Sequence, residues 1–419
     1  LRPPSPRQSA MWARAQATAR PPAAGVLQAL ASPQALVALA AGGAVLIGYL
    51  RRWRASLSLD RFARVPGLPW FGVALQLTDT LKTVERLEDW SREYGKGGVF
   101  EFNLAGQRVV ACCDWATAKA VLDLRPFKMT RSAALAGTGL AFHGVLFAEG
   151  RQWSQHRRLT APAFSEAAMK NYLPATCSVV AALLDQVELA VQAGEPVNFS
   201  DMLRRYSADL ISKLAFGQDF GSLVHNSSDL ADLMAWTEAM ESRLTAPVKY
   251  WKLPGLARWF DRGDAAAARL RSKVCALLDA PQGATATVLA KLVAAEGGKL
   301  SREEVIANLI ILFIAGTDTS SHTTSWALYH LSQQPDLQRQ IAEEASALRP
   351  GLATAEQVAA LPVTQAVWKE TLRVRSVVPF FHLESTADIT LAGKSVPKGT
   401  NFWVMTRELT RRAPEAQEA

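Results

Sequence analysis

Three short constellations in this 419-residue sequence pair chemically useful side chains with spacings that share one helix face. The first, Ala315-Gly316-Thr317-Asp318-Thr319, sits inside the run SREEVIANLIILFIAGTDTSSHTTSWALYHLSQQ. A hydroxyl beside a carboxylate can move protons by general acid catalysis. Buried in a helix, the same groups need partners, and Gly316 weakens the helix and lets something approach its backbone. Two readings stay open: a local opening that admits a small ligand or water, or a kink closed by threonines bonding back to the preceding turn. Asp318 and His322 are also one turn apart, but two ligands without a third do not make a metal site.

The second constellation is Gly150-Arg151-Gln152-Trp153-Ser154-Gln155-His156-Arg157-Arg158, in which Trp153 and Arg157 share a face. An arginine beside an indole donor suits a carboxylate partner, although a packed tryptophan under an arginine stem is the commoner meaning of such a pair. The third is Lys369-Glu370-Thr371-Leu372-Arg373, where Glu370 and Arg373 can pair at three-residue spacing. Most such pairs are solvated and energetically slight.

These groups need elements to hold them. Ser301 and Glu304 form a capping-box pattern and Pro335 stops the run, which predicts one helix of about nine turns. Upstream, Thr80 to Tyr94 has helical spacing, and Phe100, Phe102 and Leu104 alternate as in a strand. A second strand follows over Arg108 to Cys113, then a helix capped by Asp114 that runs to about Leu122. From Arg151 to about Leu348 the pattern is helix after helix. Strands return with Ile389 and Leu391 before Ala392-Gly393, and again over Asn401 to Met405. Arg64-Val65-Pro66-Gly67-Leu68-Pro69 reads as a stiff turn into the globular part. The expected fold is therefore mainly α with a small β-sheet region. With no linker or internal repeat between residues 70 and 405, residues 60–419 read as one domain.

The formal charge of +8 is misleading as a whole-chain value. Residues 1–59 hold seven arginines, no lysine and no acid, so subtracting seven from +8 leaves +1 for the remainder. No basic stripe interleaved with aromatics occurs there, which speaks against nucleic acid as a partner. The leader itself has a charge-free stretch from Pro21 to Leu50, apolar over residues 25–50 and most strongly so from Ala35, followed at once by Arg51-Arg52-Trp53-Arg54. That length can cross a bilayer and leave the basic cluster on the cytoplasmic side. An organelle transit peptide has a similar composition, and a secretory signal is a third reading. The four cysteines, Cys112, Cys113, Cys177 and Cys275, have no metal-site spacing and read as small buried hydrophobes in a reducing compartment.

In order and context, the three constellations resemble those of the cytochromes P-450. Ala315 to Thr319 matches the family's A-G-x-[DE]-T motif, Glu370 and Arg373 match E-x-x-R, and Trp153 and Arg157 match W-x-x-x-R. Flanking VPGLP, WSREYGKGGVFEF, LTAPAFS and SVPKGTNFW agree, so the resemblance runs from about Val65 to Arg407. Together these are far more specific than any one motif.

The resemblance implies a cytochrome P-450-like fold and a haem b monooxygenase. It implies that one atom of dioxygen enters an apolar small-molecule substrate, with electrons from NAD(P)H through a reductase or ferredoxin. Carried over, Asp318 and Thr319 would steer protons to dioxygen, and Ala315 and Gly316 would line its groove. Trp153 and Arg157 would hold a haem propionate, Glu370 and Arg373 would brace the core beneath the haem, and His382 would face the second propionate. Location would be a membrane, the endoplasmic reticulum facing the cytosol, with mitochondrion or plastid as the alternative.

One departure is large. The family's F-x-x-G-x-R-x-C-x-G loop, which supplies the iron's thiolate, is not among these residues, and the last cysteine is Cys275. No metal-ligating residue is therefore assigned, and the expected fold is C-terminally truncated. A fragment or degenerate, haem-free member acting as a binding or scaffold protein is the competing reading. An unrelated helical membrane protein is disfavoured by the want of further charge-free spans of about twenty residues.

Overall fold

The computed structural model describes residues 61–412, apart from 69–70, 78–79, 132–134, 136, 226, 247–248, 254, 281–298, 347 and 349–353. The basic leader, residues 1–59, with its proposed anchor, lies outside them. Among the described residues, eleven helices and eight strands position the candidate residues, with shorter helical turns between them.

The first part carries the sheet. Helix α1 spans Thr80–Tyr94 and α2 Trp115–Leu122; β1 is Ala63–Arg64, β2 Val99–Leu104, β3 Gln107–Cys112 and β4 Met129–Arg131. Near the end come β5 (Phe381–Ser385), β6 (Ile389–Leu391), β7 (Lys394–Val396) and β8 (Asn401–Val404). Six of these pair in the order β1-β2-β3-β8-β5-β4, and β6 and β7 form a separate hairpin. The β3–β8 pairing is parallel, with Val109 opposite Asn401, so the two ends of the chain share one sheet. Alternation buries both faces: Val110, Cys112, Leu383 and Phe402 pack on one side, and Phe100, Phe102, Val109 and Trp403 on the other. Asp114 caps α2 by accepting from the Thr117 amide at 2.8 Å, as the sequence predicts.

Strands β1, β4, β5 and β7 were not expected from the sequence. β4 has only three residues, too few for a period, and β5 lies inside the sheet between β8 and β4, where alternation is not required.

The remaining helices are α3 (Gly150–Thr160), α4 (Glu166–Gln192), α5 (Phe199–Phe216), α6 (Ser228–Thr245), α7 (Gly263–Asp279), α8 (Arg302–Ser332), α9 (Pro335–Ser346), α10 (Pro362–Val374) and α11 (Thr406–Arg412). The long α8 begins at the predicted capping box, with both reciprocal hydrogen bonds present. Every residue from Val305 to Ile314 is buried, the mark of a helix enclosed on all sides. Its apolar residues pack with α5, α6 and α7 in one core. Mostly helical structure with a small mixed sheet is thus what the chain adopts.

Two details differ from the sequence reading. Cys112 and Cys113 are buried, but Cys177 and Cys275 are only half-buried, because each sits on the flank of a helix. Besides α8, α4 is long and apolar enough to cross a membrane by length and composition, although it carries Glu166, Lys170, Asp185 and Glu188.

Candidate active site

The Ala315–Thr319 stretch remains helical throughout. Thr317 Oγ1 donates to the Phe313 carbonyl at 2.8 Å and Thr319 Oγ1 to the Ala315 carbonyl at 2.7 Å, so both hydroxyls are satisfied by the preceding turn. Gly316 has a packing role. A Cβ built on it would lie 2.8 Å from Ile211 Cδ1, so the absent side chain lets α5 approach α8. Of the two readings left open, the one with back-bonded threonines describes the geometry, and the helix does not open. Thr319 is exposed and Ala315 half-buried.

Asp318 points elsewhere, toward α5 and α6. Its Oδ2 accepts from Thr237 Oγ1 at 3.3 Å, and its Oδ1 lies 3.8 Å from Arg204 Nε. His322 Nδ1 is 2.6 Å from the Asp318 carbonyl oxygen, so the pair is engaged through backbone. Among the described residues no group of three metal-ligating side chains occurs.

Trp153 and Arg157 lie on α3, a turn apart, and project outward. Trp153 is 36% exposed and Arg157 is exposed too, so this is not a packed tryptophan beneath an arginine stem. Arg157 makes no ion pair among the described residues. What fixes α3 is the buried residue between them. His156, fully buried, sets Nε2 3.2 Å from Glu304 Oε1 in the first turn of α8, and its Nδ1 lies 3.4 Å from Asn308 Nδ2. Asn308 Nδ2 donates to the Glu304 carbonyl at 2.7 Å, and its Oδ1 accepts from the Val145 amide at 2.8 Å. The Ser301 amide, with His156, Ser301 and Gln152 side chains, holds the Glu304 carboxyl down at about 2.

The start of α3 is held by the sheet. Glu149, its N-cap residue, accepts from Arg125 Nη2 at 2.9 and 3.0 Å and from the Arg131 amide at 2.8 Å. Arg131 belongs to β4, opposite Leu383 of β5, so His382 is on the strand next to the one that braces α3 through Glu149. His382 stacks on Trp403, with ring centroids 4.7 Å apart, and on Phe380 at 5.4 Å. Its Nε2 is buried and has no hydrogen-bond partner among the described residues, and burial pushes the imidazole down to about 4, leaving it neutral at physiological pH.

Glu370 and Arg373 form a two-point ion pair on α10, at 2.7 and 2.5 Å. The Arg373 guanidinium holds the Glu370 carboxyl below its ordinary range. Glu370 is 56% exposed, so the pair is half-solvated and not a closed core network. No hydrogen bond or ion pair joins the Asp318, Trp153–Arg157 and Glu370–Arg373 groups among the described residues.

Sequence reasoning missed His156, Glu149, Arg131 and Asn308, whose partners lie far away in the chain. The one legible signal was Glu304, singled out as a capping residue; its second task on His156 was not.

A family model for cytochrome P450 matches residues 64–414, most of the chain and nearly all of its described part. The chain belongs to the cytochrome P450 family. It is 26% identical over 372 residues to a cytochrome P450 monooxygenase of Ampulloclitocybe clavipes, covering 77% of this chain and 68% of that relative. To cytochrome P450 3A12 of Canis lupus familiaris it is 26% identical over 386 residues, covering 84% and 75%. To the mitochondrial sterol 26-hydroxylase of Oryctolagus cuniculus it is 29% identical over 309 residues, 65% of this chain and 55% of the relative. Membership carries oxygenase chemistry with haem as cofactor, and with it redox partners and small-molecule substrates in general.

The donors present fit the acidic edge of a haem: an exposed indole and guanidinium on α3, and the orphan Nε2 of His382 on β5. They do not extend to the iron. Burial pushes the Cys112 and Cys113 thiols up, away from the thiolate form, and both are locked in or beside β3.

Proposed function

We propose that the protein is a membrane-bound monooxygenase that inserts one atom of dioxygen into an apolar organic substrate, using NAD(P)H electrons delivered by a reductase or ferredoxin. The observation that carries this reading is the exposed Trp153–Arg157 pair on α3, a helix latched by His156 between them and by Glu149 at its N-cap. A fold that uses buried hydrogen bonds to hold an indole and an arginine that have no side-chain partner among the described residues is built to receive an anionic group.

In this reading Trp153, Arg157 and His382 hold the carboxylates of haem b, and Glu370 with Arg373 braces the helix beneath it. The haem supplies one-electron and dioxygen chemistry at its iron when bound. The Asp318 carboxylate, held by Thr237 and Arg204, is the group through which protons pass, and Thr319 hands them on from Oγ1. Ala315, half-buried beside Thr319, lines the groove for dioxygen; Gly316 serves that groove by setting the spacing of α8 from α5. The iron's ligand is taken to be a cysteine outside these 419 residues. Residues 1–59 would act as an anchor holding the domain from residue 60 on the cytosolic face of the endoplasmic reticulum. A mitochondrial or plastid address is the alternative, and one relative is named as mitochondrial.

The test is oxygen labelling. Protein expressed from the complete reading frame, supplied with a reductase and ¹⁸O₂, should place one labelled atom in an apolar product and one in water. Product formed with label from water, or haem-loaded protein that transfers no oxygen, overturns the reading.

A further inference from the structure

One hydroxyl on α6 stands between two oxygens. Thr237 Oγ1 lies 3.1 Å from the Leu233 carbonyl oxygen on its own helix and 3.3 Å from Asp318 Oδ2 on α8. A hydroxyl has one proton to donate and lone pairs that accept, so Thr237 can donate to only one of these oxygens at a time. Leu233 and Trp236, both buried, fix the α6 backbone around it, so the hydroxyl can turn while the helix stays in place. The other oxygen of Asp318, Oδ1, is 3.8 Å from Arg204 Nε, too long for a hydrogen bond, and that Nε has no hydrogen-bond partner among the described residues. The Asp318 side chain is 24% exposed, enough for water to reach it.

We propose that Thr237 is a positioning residue for Asp318, holding the carboxyl in place in both of its charge states. The proposal rests on the monooxygenase reading, in which protons pass through Asp318. With Asp318 ionised, Thr237 donates to Oδ2. When Oδ2 takes a proton from water, the contact survives with its direction reversed: the Asp318 O–H donates to Thr237 Oγ1, and the Thr237 hydroxyl turns its own proton to the Leu233 carbonyl. When Asp318 gives the proton up, the hydroxyl turns back. Thr237 gains and loses no proton, and no electron moves. A partner that can only donate, such as the Arg204 guanidinium, favours the ionised carboxyl alone. The hydroxyl serves both forms, so the carboxyl keeps its site from one proton to the next.

Two measurements test this. In the 419-residue chain carrying ¹³C-labelled aspartate, the infrared carboxylate stretch of Asp318, assigned by its loss in Asp318→Asn, should move in Thr237→Val and return in Thr237→Ser. In acid, the C=O stretch of the protonated carboxyl should move between the same variants. A carboxylate band unmoved by Thr237→Val overturns the contact whether or not haem is bound, and movement of that band alone makes Thr237 a plain donor and overturns the reversal. In haem-loaded protein from the complete reading frame, Thr237→Val keeps the side-chain shape and loses the hydroxyl. It should lower the fraction of NAD(P)H electrons reaching product by about tenfold, the worth of one hydrogen bond to a charged group, and enlarge the solvent isotope effect. Thr237→Ser should restore both. A loss that Thr237→Ser leaves in place is one of packing and overturns the proposal, as does Asp318→Asn uncoupled while Thr237→Val behaves as wild type. If Asp318→Asn itself stays coupled, the proton role of Asp318 fails, and the part of Thr237 in turnover with it.

Discussion

Neighbouring positions on α3 differ in kind. His156 is fully buried, with partners on α8; Trp153 and Arg157, within a turn of it, are exposed, and their side chains make no hydrogen bond or ion pair among the described residues. Asp318 belongs with the first kind, since α5 and α6 complete its surroundings. The contrast separates groups that finish the fold from groups held ready for something that is not protein. A polar group completed by the fold is expensive to remove. One left open costs the fold little and the bound group much.

The sharpest way to break this contrast is His156→Ala. It empties a buried site and strips Glu304 and Asn308 of a partner, so it should lower unfolding free energy by about 3 kcal/mol, read by denaturant titration. Arg157→Ala, one residue on, should leave that stability within ~0.5 kcal/mol of wild type. In haem-loaded protein it should weaken haem retention by roughly thirtyfold, consistent with a charge-assisted hydrogen bond worth about 2 kcal/mol. Equal effects of the two substitutions on stability would erase the distinction.

The latch also has a pH signature. The Glu304 carboxyl sits at about 2 in the fold against an ordinary 4.5, so its contribution is complete above the ordinary value and is lost as pH falls from about 4.5 through 2. Allowing for partial solvent exposure, the loss should be about 1–2 kcal/mol, and Glu304→Gln should flatten that part of the stability profile. The smallest effect belongs to Gly316→Ala. Its methyl would press on Ile211, costing more than the gain in helix propensity, for a net loss of about 1 kcal/mol that Ile211→Val should partly restore.

The sequence made legible what is local. The capping box of α8, the Asp114 cap of α2 and the long β2 and β3 strands are signalled within a few residues, and all are present. The one-turn spacings of Trp153 with Arg157 and of Glu370 with Arg373 also survive as written. Hidden from the sequence were the long-range partners: His156 with Glu304, Arg131 with Glu149, and Thr237 with Asp318. Gly316 shows the difference plainly. Its residue type allowed a ligand or a neighbouring helix to come close, and only the placement of Ile211 distinguishes them.

The account turns on whether the open face of α3 receives a haem. The most direct measurement is the reduced, carbon monoxide difference spectrum of protein expressed from the complete reading frame, beside its Trp153→Ala/Arg157→Ala variant. A thiolate-type spectrum in the wild type, with most of the haem lost from the folded variant, is the predicted result. Wild-type protein that folds and takes up no haem, or a variant that holds haem as tightly as wild type, would contradict it.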